Sequence, residues 1–92
     1  MIARRVVIRG YVQGVGFRFA LVDIAHENSV AGWVRNRADG TVEALVQGEP
    51  RATERVIDWC RRGPPGARVI DVDATDVPVD SSVTDFTQRA TA

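Results

Sequence analysis

The spacing of apolar residues changes abruptly at Gln13-Gly14-Val15-Gly16, and that change limits the folds open to this chain more than any other feature. Before it, Val6 and Ile8 point one way while Arg5, Arg9 and Tyr11 point the other, the period-two pattern of a half-buried strand over about Ala3 to Val12. After it, Phe17, Leu21, Ile24 and Ala25 recur at helical spacing and predict a helix over Phe17 to Glu27. A strand therefore runs through a loop with two glycines straight into a helix.

Asn28 and Ser29 end that helix, and Val30 to Arg37 reads as a second strand. Asp39-Gly40 signals a tight hairpin, because both residues tolerate positive φ, and Val42, Ala44 and Val46 alternate beyond it as a third strand. Pro50 suits the first turn of a second helix, where its missing N–H is not needed; Ala52, Val56, Trp59 and Cys60 mark its apolar face. Arg61 and Arg62 fit the negative end of that helix, and Gly63-Pro64-Pro65 stops it. Ile70, Val72 and Ala74 alternate with Asp71, Asp73 and Thr75 in a fourth strand, and a short strand around Thr84 to Arg89 follows. The order βαββαβ with a short extra strand is α+β, the ferredoxin-like split β-α-β pattern, with two helices on one face of a mostly antiparallel sheet. At 92 residues the chain has enough surface to bury for one core and not for two, so residues 1–92 form a single domain.

Twelve arginines balance twelve acidic residues, and there is no lysine. Zero net charge argues against a general nucleic-acid or membrane binder, whose affinity comes largely from clustered basic residues. No apolar run approaches the roughly 18 residues of a membrane span, and the Arg-bearing start has no stretch suited to a signal peptide, so a cytoplasmic protein is expected. The lone Cys60 allows no internal disulfide and fits a reducing compartment. Residues 1–46 carry six Arg and four acids, which makes the first half the anion-attracting one.

Chemistry is concentrated in Gly10-Tyr11-Val12-Gln13-Gly14-Val15-Gly16-Phe17-Arg18. Glycines let the backbone curl so that successive N–H groups point inward, and a helix N-terminus adds unpaired N–H groups and a positive dipole end. Such a concavity suits a tetrahedral anion. Arg18 stands in the first helical turn, where a guanidinium is mismatched with the dipole unless an anion lies between them. A Walker loop is excluded because it needs lysine, and a dinucleotide fingerprint needs a third glycine where Phe19 stands. Taken alone, the loop also fits a purely structural turn. The second segment is Gly32-Trp33-Val34-Arg35-Asn36, where parity places the Asn36 carboxamide among apolar neighbours near a strand end; alone, that is also the place of a hydrogen-bonded turn residue.

Together the two segments resemble the acylphosphatase family. Gly10 to Arg18 fits its pattern Gly-x-Val-Gln-Gly-Val-x-Phe-Arg. Gly32 to Gly48 fits its second signature: Gly-Trp-Val-Arg-Asn, three residues, Gly40, one residue, Val42, five residues, Gly48. The resemblance implies that Arg18 and the backbone amides of Gln13, Gly14, Val15, Gly16, Phe17 and Arg18 hold a substrate phosphate, while Asn36 orients an attacking water. It implies hydrolysis of a carboxyl-phosphate anhydride without metal or cofactor. The substrate would be a small acyl phosphate, and inorganic phosphate or sulfate would act as a product-like ligand. A leaving carboxylate, whose conjugate acid has a pKa near about 4, departs without a general acid, so positioning and charge stabilisation carry the reaction.

The other reactive residues point elsewhere. His26 lies off the main apolar stripe and reads as a surface histidine, Cys60 as a small core residue, and Trp33 as packed on the sheet face away from the helices. Asp71, Asp73, Asp76 and Asp80 read as a solvated strand edge and loop rather than a metal site. RNA recognition would need aromatic rings on the open face of the central strands, and the third strand offers only Thr41, Glu43, Leu45 and Gln47 there. The rival readings are a module that binds acyl phosphate or phosphate without turnover, and the front domain of a larger hydrogenase-maturation carbamoyltransferase, whose further domains this chain lacks. Nothing in the sequence demands association beyond a monomer.

Overall fold

The computed structural model describes residues 1–92 as β1 (Ile2–Tyr11), α1 (Phe17–Glu27), β2 (Ala31–Asn36), β3 (Val42–Gly48), α2 (Pro50–Arg62), β4 (Arg68–Val77) and β5 (Phe86–Gln88). The sheet order is β4-β1-β3-β2-β5, antiparallel except where β5 lies parallel to β2. Both helices cover one face. Val6, Ile8 and Val12 from the first strand and its end meet Leu21 and Ala25 of α1, Val34, Ala44 and Val46 of the neighbouring strands, and Val56, Ile57 and Cys60 of α2 in one cluster. Each large apolar side chain buried there contributes about 1.5–3 kcal/mol relative to exposure. The core is thus built on the strands that carry β1 into its loop and β2 to Asn36.

Three details depart from the periodicity. Ile70 does not share the inner face with Val72, because β1 and β4 pair Arg9 with Asp71 and then Gly10 with Val69, leaving Ile70 as the extra residue of a bulge, 83% exposed. Gly10 makes this possible: its φ is 131°, and a Cβ there would lie 2.0 Å from the Arg68 carbonyl oxygen. The extra residue belongs to β4, so the bulge bends that edge strand, beside the point where β1 enters the loop. In α2 the fully buried residues are Thr53, Val56, Ile57 and Cys60, with Ala52 and Trp59 half-buried at the margins, so the apolar stripe is rotated toward Ile57. In the turn joining β2 to β3 only Gly40 takes positive φ, at 91°. The Gly40 N–H donates to the Arg37 carbonyl and the Arg37 N–H to the Thr41 carbonyl, the pattern of a turn closed by a glycine bulge rather than a two-residue turn.

The sheet face away from the helices is less open than alternation alone indicates, for all of β3 is buried. Gln47 donates to the carbonyls of Asp80 and Val83 and accepts from the Asp80 N–H, which pins the connection between β4 and β5 across that face. Glu43, 4% exposed, is held by Arg5 Nε at 2.6 Å and Arg35 Nε at 2.8 Å. Trp33 lies on the same side with the guanidinium carbons of Arg35 and Arg89 4.9 and 4.8 Å from its ring centroid.

Candidate active site

The loop between β1 and α1 is built from backbone. Gly14 and Gly16 have φ of 75° and 78°, while no other residue from Gln13 to Phe17 has positive φ. This alternation of sign is the geometry in which successive N–H groups converge on one concave side. A Cβ at either glycine would meet nothing within 4 Å, so conformation and not crowding requires glycine there. Gly16 is the N-cap of α1 and supplies no side chain to cap it. The N–H groups from Gln13 through Phe19 have no acceptor within the chain; the first helical bond runs from the Ala20 N–H to the Gly16 carbonyl at 3.0 Å. A run of unpaired donors at a helix N-terminus is a site for an anion, each charged hydrogen bond contributing about 1.5–3 kcal/mol.

Arg18 is half-buried in the first turn, and no carboxylate lies within ion-pair distance of it. Arg4, Arg5, Arg9, Arg35, Arg37 and Arg61 all have such partners. The first turn of α1 also contains no acid. Asn36 closes β2 on the helix side of the sheet, two residues beyond the fully buried Val34, and pairs through its backbone with Val42. Arg18 and Asn36 line one recess of about 110 Å3, together with Val12, Gly14, Gly16, Phe17, Phe19 and Gln88. At ~30 Å3 per water, that space holds three to four waters' worth of atoms. Larger recesses exist; the one of about 410 Å3 beside Arg5, Arg35 and Arg37 is lined by guanidinium groups already paired with Glu43 and Asp39.

Gln13 and Val15 do not line the recess. Val15 packs against the core, and Gln13 turns its side chain to the hairpin, donating through Nε2 to the carbonyls of Arg37 at 2.8 Å and Thr41 at 2.9 Å. That amide ties the loop to the strand end bearing Asn36. On the hairpin, the Thr41 hydroxyl and N–H both donate to Asp39, holding its carboxyl below the ordinary range. Phe17 is fixed from the other side by Trp59, edge to face with centroids 5.4 Å apart. Gly63 lets α2 end against the same ring, since a Cβ would lie 2.8 Å from it.

The remaining candidates fall outside the recess. Burial pushes the Cys60 thiol up to about 12, so it is no thiolate nucleophile. His26 is half-exposed, as a surface histidine should be, yet its Nε2 lies 3.1 Å from the Phe86 carbonyl and 3.2 Å from an Asp85 oxygen, linking α1 to the start of β5. No three His, Cys, Asp or Glu side chains converge as metal ligands. Sequence reasoning did not anticipate the Gln13 clasp or the presence of Gln88 in the recess; the parity of Gln88 with the apolar Phe86 was the available signal for the latter.

Known proteins resemble the chain in sequence and in fold. The Acylphosphatase family model matches residues 4–88. An acylphosphatase of Acidiphilium cryptum is 50% identical over 93 residues, covering 99% of each chain. The crystal structure of acylphosphatase from Bacillus subtilis superposes with a TM-score of 0.92 at 34% identity, covering 97% of this chain and 99% of that one. Full-length HypF, in a phosphate- and nucleotide-bound form, matches with a TM-score of 0.88 at 29% identity, covering 98% of this chain but only 12% of its own. From its glycine loop to its fifth strand, the chain belongs to the acylphosphatase family.

Proposed function

We propose that the loop amides and Arg18 hold the phosphoryl group of an acyl phosphate while Asn36 orients the water that attacks it. The chain's acylphosphatase activity is hydrolysis of the carboxyl-phosphate anhydride to carboxylate and phosphate. One observation supports these residue roles above the rest: Gly14 and Gly16 to Phe19, which carry unpaired N–H groups, and the unpaired Arg18 guanidinium meet at a single small recess that Asn36 also lines. In a loose transition state the phosphoryl oxygens carry the charge, so fixed donors around them lower the barrier, and the incoming water needs direction more than a strong base. The neutral Asn36 carboxamide, donor and acceptor at once, supplies that direction. As the water bonds to phosphorus, the P–O bond to the acyl group breaks and its electron pair leaves on a stable carboxylate, which needs no proton from an acid.

We take a monomer in the cytoplasm as the acting form; the single buried, free cysteine suits that reducing compartment. No helix is long and apolar enough to cross a membrane. Inorganic phosphate or sulfate should compete with substrate, because each presents the same tetrahedral oxygens to the loop.

The test is phosphate release from a synthetic acyl phosphate in the presence of a chelator. Turnover should persist, and Asn36→Ala should lower kcat about a hundredfold or more while leaving the inhibition constant of inorganic phosphate nearly unchanged. Loss of turnover on chelation removes the metal-free mechanism. An Asn36→Ala chain that fails to fold assigns the carboxamide a structural role instead. Binding of acyl phosphate without turnover by the unaltered chain would favour a non-catalytic module.

A further inference from the structure

We propose that the mouth of the recess, between Phe19 and Gln88, is an acyl subsite that favours substrates with a flat apolar acyl group; this rests on the reading of the loop and Arg18 as the phosphate cradle. The recess of about 110 Å3 accommodates little beyond a phosphoryl group and its attacking water, so the acyl portion lies at the rim. Two rim residues come from different walls. Phe19 follows Arg18 on α1 and is 72% exposed, whereas Phe17 and Phe86 are each 2% exposed. Its ring is an apolar surface beside the cradle with no place in the core.

Gln88 comes from β5, which pairs in parallel with β2 so that Gln88 lies opposite Val34, and Gln88 thereby shares the helix-side face with Asn36. Its carboxamide is exposed and makes no hydrogen bond to the rest of the chain. A neutral amide at that position can donate an N–H to the acyl carbonyl oxygen, on which negative charge grows as the carboxylate departs. Phe19 thus distinguishes acyl groups by shape and burial, while Gln88 acts on the linkage common to all of them.

Because both side chains are exposed and neither holds up the fold, substitutions there test the subsite without threatening folding. Initial rates are compared for benzoyl phosphate and acetyl phosphate, with inorganic phosphate as a competitive inhibitor. Phe19→Ala should lower the ratio of kcat/KM for benzoyl over acetyl phosphate about tenfold, with the phosphate inhibition constant within about twofold of the unaltered protein. Gln88→Leu should lower kcat/KM severalfold on both substrates with the same unchanged phosphate constant. A benzoyl-to-acetyl ratio that stays put in Phe19→Ala, or full activity of Gln88→Leu on both substrates, overturns the subsite while the cradle stands. A phosphate constant that rises in parallel would move the two residues into the cradle and also overturn it. If the unaltered chain turned over neither compound, the proposed function would fall and the subsite with it, an outcome distinct from the others.

Discussion

Replacing Arg18 with Ala should make the anion-free protein more stable and the enzyme nearly inactive. Arg18 stands in the first turn of α1 with no carboxylate partner and no acid on that turn to offset it. A cation at a helix N-terminus costs about 0.3–1 kcal/mol at low ionic strength, and Ala gains a few tenths more in helix propensity. Some packing of the half-buried stem is lost, so the net gain is about 0.5–1 kcal/mol. For a domain of this size that corresponds to a rise in Tm of about 2–6 °C. Phosphate at a hundred times its Kd adds about 2.7 kcal/mol to the unaltered protein and much less to the variant, so the order of stabilities reverses. Turnover should fall on the order of 10²- to 10³-fold, the cost of removing one preorganised donor. Thermal unfolding followed by circular dichroism, in a low-salt buffer with and without phosphate, reads both halves. A variant that melts lower in both buffers and keeps the same phosphate-induced shift would refute the reasoning, because the guanidinium would then be structural and the anion elsewhere.

Glu43→Gln should weaken the fold by about 2–3 kcal/mol in urea titrations at neutral pH, less than a fully buried pair because Arg5 and Arg35 keep 44% and 32% of their side-chain surface in water. Burial raises the Glu43 carboxyl, but the hydrogen bonds from Arg35 and Arg5 outweigh it and leave it below its ordinary value of 4.5. Its contribution is therefore full above about pH 4.5 and is lost as the pH falls through the lower folded value, so the Gln variant should show a flatter stability profile in that acid range. Gln13→Ala removes two hydrogen bonds to the hairpin and should cost about 1–3 kcal/mol, with a several-fold rise in the phosphate inhibition constant; unchanged inhibition would show that the loop needs no clasp. Gly16→Ala meets no obstructing atom but must hold φ near 78°, at a cost of about 1–2 kcal/mol, measurable as a lower Tm; equal stability would mean that the loop had changed conformation.

The elements and the two signature segments were legible because each rests on local physics. Period-two and helical spacing mark which face of a strand or helix is apolar, and Gly14 and Gly16 mark backbone that only glycine adopts readily. What escaped depends on which distant segments meet. Ile70 alternates correctly with its neighbours, and only the pairing of Gly10 with Val69 turns it outward. Glu43 reads as an acid on an open sheet, and only the approach of Arg5 and Arg35 from two other strands makes it a buried pair. Gln13 sits inside the loop motif, yet its side chain acts on carbonyls more than twenty positions away.

These nonlocal contacts converge on one mechanical requirement. A cradle made of backbone is not aimed by its glycines, since Gly14 and Gly16 have no side chains and the backbone N–H groups from Gln13 to Phe19 make no bond within the chain. Its position must come from what flanks it. Gly10 admits the close approach of the Arg68 carbonyl just before the loop, the Gln13 amide clasps it to the hairpin, and Phe17 is wedged between Trp59 and the end of α2 where it becomes a helix. Asn36 is held by the same hairpin that Gln13 grips, so the distance from the proposed cradle to the proposed water-directing group is set by one short connection rather than by the whole fold. Loosening that connection should therefore reduce turnover more than it reduces stability, whereas an equal free-energy loss made in the α2 face of the core should do the reverse.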